Sequence, residues 1–290
     1  MKAEQLYASQ CYLGEGPAWD PRTETVYWMD INAPKLFAMD WPSRKVKDWT
    51  FDDDLSFVTP ANDGKLLLAI GTCLHRFEPS SGTLTKLLDL EPGLTDHRCN
   101  DGIVDRNGQV WLGTTHREHT QESGALFKID QQLGFKKMID KLTISNGMAW
   151  STATDHLYHI DSPTMKVESF EWKQDEDIVS WERTAIKIPT DHGAPDGMAM
   201  DVEGMLWIAH WGGYGVCRWD PRTGKELDRI DVPAPHVTSC AFIGPDLDHL
   251  VITTARKEMN DQAKLEFPMS GDLFIAVPGV KGLARFVALV

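Results

Sequence analysis

A short segment recurs along the chain and constrains its fold more than any other feature: a polar residue, usually followed by glycine, leads into an apolar run. The clearest copy is SNGMAW, residues Ser145–Trp150, in which Asn146-Gly147 predicts a turn that leads into a strand. A second turn and a second apolar strand follow each copy. The related copies are GEGPAWD (Gly14–Asp20), CNDGIVD (Cys99–Asp105), PDGMAMD (Pro195–Asp201) and, more weakly, HVTSCAF (His236–Phe242). Such self-similarity indicates repeated supersecondary units.

The spacing of the copies predicts the architecture. They recur about every 45 residues, a period typical of β-propellers. Strand-like runs alternate with turn signals throughout, without a convincing amphipathic helix. We therefore predict an all-β fold, a six-bladed β-propeller of four-stranded antiparallel blades, as one domain over residues 1–290. A β-sandwich is the alternative, but it gives no reason for a polar turn at a fixed phase. The six units begin near Gly16, Phe57, Gly102, Gly147, Gly197 and Cys240.

Both ends of the chain are strand-like. AEQLYAS lies near the start, and DLFIAV and ARFVALV lie near the end. We expect the N-terminal strand to join the last blade, which would close the ring and hide a sheet edge. Trp28, Trp111 and Trp207 lie in the strands after the repeated segments, and we expect them to pack between adjacent sheets.

Composition excludes several classes of partner. The net charge of −14 disfavours nucleic acid and anionic membranes as partners. The chain has no apolar run long enough for a membrane span, and its N-terminus lacks the apolar core of a signal peptide. Its five cysteines form no CxxC pair, which favours free thiols in a reducing compartment. These features predict a cytoplasmic protein, whose oligomeric state the sequence leaves open.

Oxygen-bearing side chains occupy one phase of the repeat. They are Glu15, Asn100, Asn146 and Asp196. In a propeller, residues at one phase converge at one mouth of the central channel, so Glu15, Asn146 and Asp196 would lie within reach of one metal ion. Oxygen ligands suit Ca²⁺, Mg²⁺ or Mn²⁺ and accommodate Zn²⁺ or Fe²⁺. One Asn-Gly or Asp-Gly pair alone would indicate only a turn, but four polar residues at one phase favour a site.

The same segments resemble a known family. LGEGPAWD, RCNDGIVDRNGQVWLGT, ISNGMAW, YHIDS, PDGMAMDVEGMLWIAHWGG and GPDLDHLVITTARK are similar to the patterns of the regucalcin/gluconolactonase family, the SMP-30-like sugar lactonases. The resemblance covers essentially the whole chain. It implies a six-bladed propeller that holds one divalent metal (Ca²⁺, Zn²⁺, Fe²⁺ or Mn²⁺) and hydrolyses sugar lactones, a small-molecule substrate class, to aldonic acids.

The resemblance also implies residue roles. Glu15, Asn146 and Asp196 correspond to the metal ligands. Three positions correspond to substrate-binding residues. Arg98 would hold sugar hydroxyls, and Asn100 would contact the metal or the substrate. Glu118, in the loop THREHTQESG, matches the family less closely. Asp101 is interpreted as loop support.

The predicted reaction is attack of water on the lactone carbonyl, with Asp196 as catalytic base because a carboxylate there would reach both metal and water. Ser145 and Ser239 lack a nucleophile-elbow context, which disfavours a serine hydrolase. Three alternatives remain: a regucalcin-like calcium-binding regulatory protein, a phosphotriesterase or arylesterase, and a peptide-binding scaffold. The roles of four residues near the expected channel mouth are left open: His97, His116, His119 and Trp211.

Overall fold

A computed structural model describes all residues, 1–290, and is built almost entirely of antiparallel strands. The first half contains β1 (Glu4–Tyr7), β2 (Gly14–Asp20), β3 (Thr25–Asp30), β4 (Lys35–Asp40), β5 (Val46–Thr50), β6 (Leu55–Pro60), β7 (Leu66–Ile70), β8 (Cys73–Glu78), β9 (Thr83–Asp89), β10 (His97–Val104), β11 (Val110–His116), β12 (Gly124–Ile129) and β13 (Phe135–Leu142). The second half contains β14 (Ser145–Trp150), β15 (His156–Asp161), β16 (Lys166–Lys173), β17 (Ile178–Lys187), β18 (Ala194–Met200), β19 (Leu206–Trp211), β20 (Gly215–Asp220), β21 (Lys225–Asp231), β22 (His236–Ile243), β23 (His249–Ala255) and β24 (Leu273–Ala276).

Helical structure is limited to short segments. The α-helix α1 spans Asp261–Glu266, and 3₁₀ turns span Ser162–Thr164, Gln174–Glu176 and Thr190–His192. None of the helices has the length and apolar character needed to cross a membrane.

The strands form five hydrogen-bonded sheets, so the prediction of six separate blades is wrong. Four sheets are four-stranded meanders in chain order, from β2–β5, β6–β9, β10–β13 and β14–β17. The fifth has eight strands in the order β1-β24-β23-β22-β19-β20-β21, with β18 also paired to β19. The fold is all-β and propeller-like, but its sheet count differs from the repeat count.

A single backbone pair explains the difference. β19 joins β22 through Trp211 and His236, which merges two stretches that the sequence repeat treats as separate units. The rings of these two residues stack, with centroids 4.1 Å apart and planes 4° from parallel. At one edge of this sheet, the N-terminal strand β1 pairs with β24, the last strand of the chain.

The repeated polar-glycine segment is a β-bulge rather than the predicted turn. Ser145–Trp150 is one strand, β14, and its register with β15 shifts between Asn146 and Met148. The same shift follows Glu15 in β2, Cys99 in β10 and Pro195 in β18. A bulge re-aims the side chain beside it, and glycine tolerates the local distortion. The repeat therefore turns a series of polar side chains in one direction.

The first strands of successive units contact one another around a central channel. The Asn100 Nδ2 donates to the Ser145 carbonyl at 2.8 Å, which ties β10 to β14. The Thr238 hydroxyl donates to the Gly14 carbonyl at 2.6 Å, which ties β22 to β2. Between β14 and β18 the approach is close enough that a Cβ on Gly147 would lie 2.4 Å from the Asp196 carbonyl oxygen.

Buried aspartates fix two of the tryptophans of the second strands. Trp111 Nε1 donates to Asp105 at 2.9 Å, and Trp207 Nε1 donates to Asp201 at 3.0 Å. Each aspartate lies at or just beyond the end of a first strand, so the hydrogen bond fixes the tryptophan of the next strand in the core. Trp28, Trp111 and Trp207 are fully buried, as predicted.

Candidate functional site

One polar cavity of about 180 Å³ lies at the channel mouth where the bulged strands begin. Five of the six predicted site residues line it: Glu15, Arg98, Asn100, Asn146 and Asp196. They come from the strands β2, β10, β14 and β18, which are far apart in sequence. Their common phase in the repeat is what brings them together.

Three oxygen-bearing side chains form the floor of this cavity. Asn146 donates from Nδ2 to the Ser162 hydroxyl at 3.1 Å, which fixes the amide and leaves Oδ1 as a free acceptor. Asp196 Oδ1 is buried without a hydrogen-bond partner. Glu15 accepts the Gly16 N–H at 3.0 Å through Oε2. The chain thus leaves acceptor oxygens without enough donors.

The electrostatics of the two carboxylates are unfavourable in the protein alone. Burial raises the pKa of Glu15 well above its usual range, and the charges of Asp196 and Asp101 raise it further. Burial likewise raises the pKa of Asp196, with an added contribution from Asp101. Arg98 lowers the pKa of both carboxyls but does not offset these effects. Two carboxylates that share a cavity of this kind, one buried and one half-buried, are stabilised by a cation or by a proton.

A divalent cation fits this donor set. The structure contains no group of three or more His, Cys, Asp or Glu side chains with metal-binding geometry. The floor is instead two carboxylates and one amide, an all-oxygen set of the kind that hard cations accept. The partnerless Asp196 Oδ1, the oriented Asn146 amide and the excess of buried negative charge each match what a bound cation would satisfy.

Arg98 and Asn100 form a braced pair beside the floor. Arg98 Nη1 donates to Asn100 Oδ1 at 2.7 Å and to the Cys99 carbonyl at 2.9 Å. Arg98 Nε lies 3.8 Å from an Asp54 carboxylate oxygen. Because Asn100 also donates to the Ser145 carbonyl, both amide ends of Asn100 are occupied. This geometry makes Asn100 a support for Arg98 and for the strand that carries Asn146.

The structure does not bring the predicted substrate residue Glu118 into the cavity. Glu118 lies after β11 in an exposed loop, and its neighbour His119 lines the cavity instead. The sequence of a variable loop does not determine which of its side chains faces the cavity. The presence of an acidic residue in this loop was therefore not enough to identify the substrate contact. His119 Nδ1 is buried without a partner, and burial lowers the pKa of this histidine.

Two further lining residues come from outside the repeat. Lys257 and Glu258 follow β23 and line the cavity, as does Trp211. Burial lowers the pKa of Lys257, and the charge of Arg98 lowers it further. The sequence signal for this pair is the family-like motif GPDLDHLVITTARK, which ends at Lys257 and which the phase argument does not cover.

The other candidate residues are structural or lie elsewhere. His97 and His116 do not line the cavity, and both contact the Asp96 carboxylate. Ser145 is hydrogen-bonded to His159 at 2.9 Å, but both side chains are buried, so this pair is not accessible to a substrate. Cys99 is fully buried, and burial raises the pKa of its thiol, which makes it an unreactive core residue.

Comparisons with known proteins agree with this geometry. A family model described as the SMP-30/gluconolactonase/LRE-like region matches residues 13–256. Regucalcin of Xenopus laevis is 32% identical over 290 residues, which cover 98% of this chain and 97% of that protein. YvrE of Bacillus subtilis, provisionally named a sugar lactone lactonase, is 32% identical over 92% of each chain. The solved structure of a calcium-binding protein, regucalcin from Agrobacterium tumefaciens, superposes with a TM-score of 0.92 at 27% identity, covering 99% of this chain and 96% of that one.

Proposed function

Because the chain belongs to the SMP-30/gluconolactonase/LRE-like family, we propose that it hydrolyses sugar lactones, opening the cyclic ester of an aldonolactone to the aldonic acid. The observation that carries this proposal is a pair of carboxylates, the half-buried Glu15 and the buried Asp196, in a polar cavity with Arg98 beside them. An ester-hydrolysing site needs a proton acceptor, a stabiliser of negative charge and groups that orient the substrate.

Glu15, Asn146 and Asp196 would hold one divalent cation through oxygen atoms, with Ca²⁺, Zn²⁺, Fe²⁺ and Mn²⁺ as candidates. When bound, such a cation polarises the lactone carbonyl and stabilises the negative charge that develops on its oxygen. Asn146 is held for this role by Ser162, since the donated hydrogen bond directs the amide oxygen away from the serine.

Asp196 acts as the base in this proposal. One carboxylate oxygen of Asp196, the partnerless Oδ1, would hold the cation, and the other oxygen takes the proton of the attacking water. Arg98 binds the ring hydroxyls of the sugar, and Asn100 keeps the guanidinium in place through the hydrogen bond at Oδ1. His119 and Lys257, which line the cavity, would contact the substrate in the role that the family resemblance implied for Glu118.

Replacement of the base tests the proposal. Asp196→Asn keeps the size of the side chain but cannot accept the proton, so turnover of gluconolactone and xylonolactone should fall about 10²- to 10⁴-fold. The measurement is kcat from acid release in a pH-stat, with a thermal melt to show that the variant folds. Asp191→Asn, on the exposed turn just before β18, is the matched control and should keep wild-type turnover.

A near-normal kcat for Asp196→Asn would exclude Asp196 as the base. Faster hydrolysis of phenyl acetate or paraoxon than of any aldonolactone would contradict the choice of substrate class.

A further inference from the structure

A second cavity in the protein is larger than the polar one. It measures about 290 Å³ and lies at the opposite end of the same inner strands. Three inner strands, β10, β14 and β18, contribute to both cavities. Their residues Asn100, Asn146 and Asp196 line the polar cavity. A few residues later the same strands line the second cavity, for example with Met148 and Met198. At about 3.3 Å per residue, this places the two cavities at the two ends of the channel. We refer to the larger one as the apolar cavity.

Its lining is almost wholly hydrophobic. Fourteen of its eighteen lining residues are hydrophobic, and Arg285 is the single charged residue among them. At roughly 30 Å³ per water molecule, the cavity could hold about ten waters, which would have few polar partners on its walls. Such a space favours an apolar occupant.

Arg285 reaches the cavity from the C-terminal segment. The Leu283 N–H donates to the Met200 carbonyl at 2.9 Å, and the Ala288 N–H donates to the Pro60 carbonyl at 3.2 Å. Between these two anchors, residues 284–287 make no backbone–backbone hydrogen bond. This short strap therefore crosses the end of the channel and is held at both sides.

The guanidinium of Arg285 has few partners. Its one hydrogen bond is donated from Nη1 to the Pro17 carbonyl at 3.4 Å, and it forms no ion pair. Arg285 is exposed to solvent where it lines the cavity, and the charge of Asp101 favours its charged form from a distance. Arginine has five N–H donors in a planar fork that matches a carboxylate, so most of its capacity is unused.

The two cavities are separated. Between them lies a pocket of only about 10 Å³, which Arg285 and Asp101 line together with Ser239. A pocket of this size accepts about one water molecule. A ligand in the apolar cavity therefore cannot reach Glu15 or Asp196.

We propose that the apolar cavity is a second binding site, for a small amphipathic carboxylate. The aliphatic or aromatic body of the ligand fills the space between Met148 and Met198, and its carboxylate pairs with Arg285. The charge complementarity and the hydrophobic walls select this class over neutral apolar molecules and over sugars.

This proposal is tested by calorimetric titration of the full-length protein with hexanoate, octanoate and decanoate. The corresponding primary alcohols are titrated for comparison, because they lack the carboxylate. Carboxylate affinity should increase about fourfold per added methylene until the cavity is full. Arg285→Gln should weaken carboxylate binding about 10- to 100-fold and leave alcohol binding unchanged, because only the charged hydrogen bonds are lost. Arg285→Lys should recover part of the loss.

Lys281→Gln is the matched control. It removes one positive charge from the same segment, where Lys281 pairs with Asp246 at the surface, and should leave carboxylate affinity unchanged. Equal losses in Lys281→Gln and Arg285→Gln would overturn the proposal, as would absence of binding or affinity independent of chain length. Lactone hydrolysis is not the readout, so failure here leaves the proposed lactonase function intact.

Discussion

At the scale of single residues, the site concentrates negative charge that the protein does not neutralise. Asp196 is buried and Glu15 is half-buried, and desolvation raises the pKa of each carboxyl. The charges of Asp196 and Asp101 raise the pKa of Glu15 further, and the charge of Asp101 raises that of Asp196. The Asp196 Oδ1 has no partner, although a buried acceptor usually finds one. Unsatisfied groups of this kind are typical of functional sites, where stability is lost so that a ligand can be bound.

A buried histidine next to the site gives a pH-dependent prediction. Burial lowers the pKa of His159 to about 4, from 6.5, so this side chain is neutral in the folded state at neutral pH. Below pH 6.5 the unfolded chain binds a proton that folded His159 does not bind until about pH 4. The stabilising contribution is therefore complete above pH 6.5 and is lost as the pH falls towards 4. Between pH 7 and pH 5, the free energy of unfolding should lose about 2 kcal/mol to this group.

Urea denaturation of wild type and His159→Gln at pH 7 and pH 5 measures this contribution. Glutamine can keep the hydrogen bond to Ser145 but does not titrate, so the variant should lose about 2 kcal/mol less than wild type between the two pH values. His156→Gln changes a partly exposed histidine on the same strand and is the control, which should stay close to wild type. An identical pH dependence in wild type and His159→Gln would contradict the prediction.

At the scale of single elements, the bulged strand is the device that builds the site. Each bulge turns a polar side chain towards the channel, and the following glycine permits neighbouring strands to approach closely. On β14, a Cβ at Gly147 would meet the Asp196 carbonyl at 2.4 Å, although the backbone at Gly147 has no positive φ. Glycine is required there by contact rather than by conformation.

Gly147→Ala tests this role. The added methyl should push β18 away from β14, cost about 1–3 kcal/mol in the free energy of unfolding, and lower kcat/KM for sugar lactones at least tenfold, since small displacements of catalytic groups are costly. Gly82→Ala is the control: its φ of +71° also disfavours alanine, but nothing lies within 4 Å of the added Cβ. It should lose about 1 kcal/mol of stability with unchanged kcat/KM. Wild-type kcat/KM in Gly147→Ala would show that strand spacing does not position the site.

At the scale of the whole molecule, the structure could be predicted where the sequence is periodic. The fixed phase of Glu15, Asn100, Asn146 and Asp196 predicts that they meet, and they do line one cavity. The joining of the last two repeat units into one sheet, through the pairing of Trp211 with His236, was not predictable. It depends on how closely β19 and β22 approach each other at this one residue pair.

Loop residues define the limit of this reasoning. His119 rather than Glu118 faces the cavity, and Lys257 enters it from a segment outside the repeat. The direction of a loop side chain depends on the local backbone geometry, and the sequence repeat does not predict that geometry in the loops. The arrangement of residues 1–290 as a single domain and the cytoplasmic location stay predictions.

The most direct test of the central claim is a pH-stat assay of sugar-lactone hydrolysis on protein stripped with EDTA and then refilled separately with Ca²⁺, Mn²⁺, Zn²⁺ or Fe²⁺. We predict that stripping abolishes acid release above the spontaneous rate and that at least one ion restores it, because Glu15, Asn146 and Asp196 form an oxygen site with uncompensated charge. Full activity after verified metal removal would contradict metal-dependent hydrolysis at this site. Background rates with every ion and every five- and six-carbon lactone would contradict the lactonase function itself.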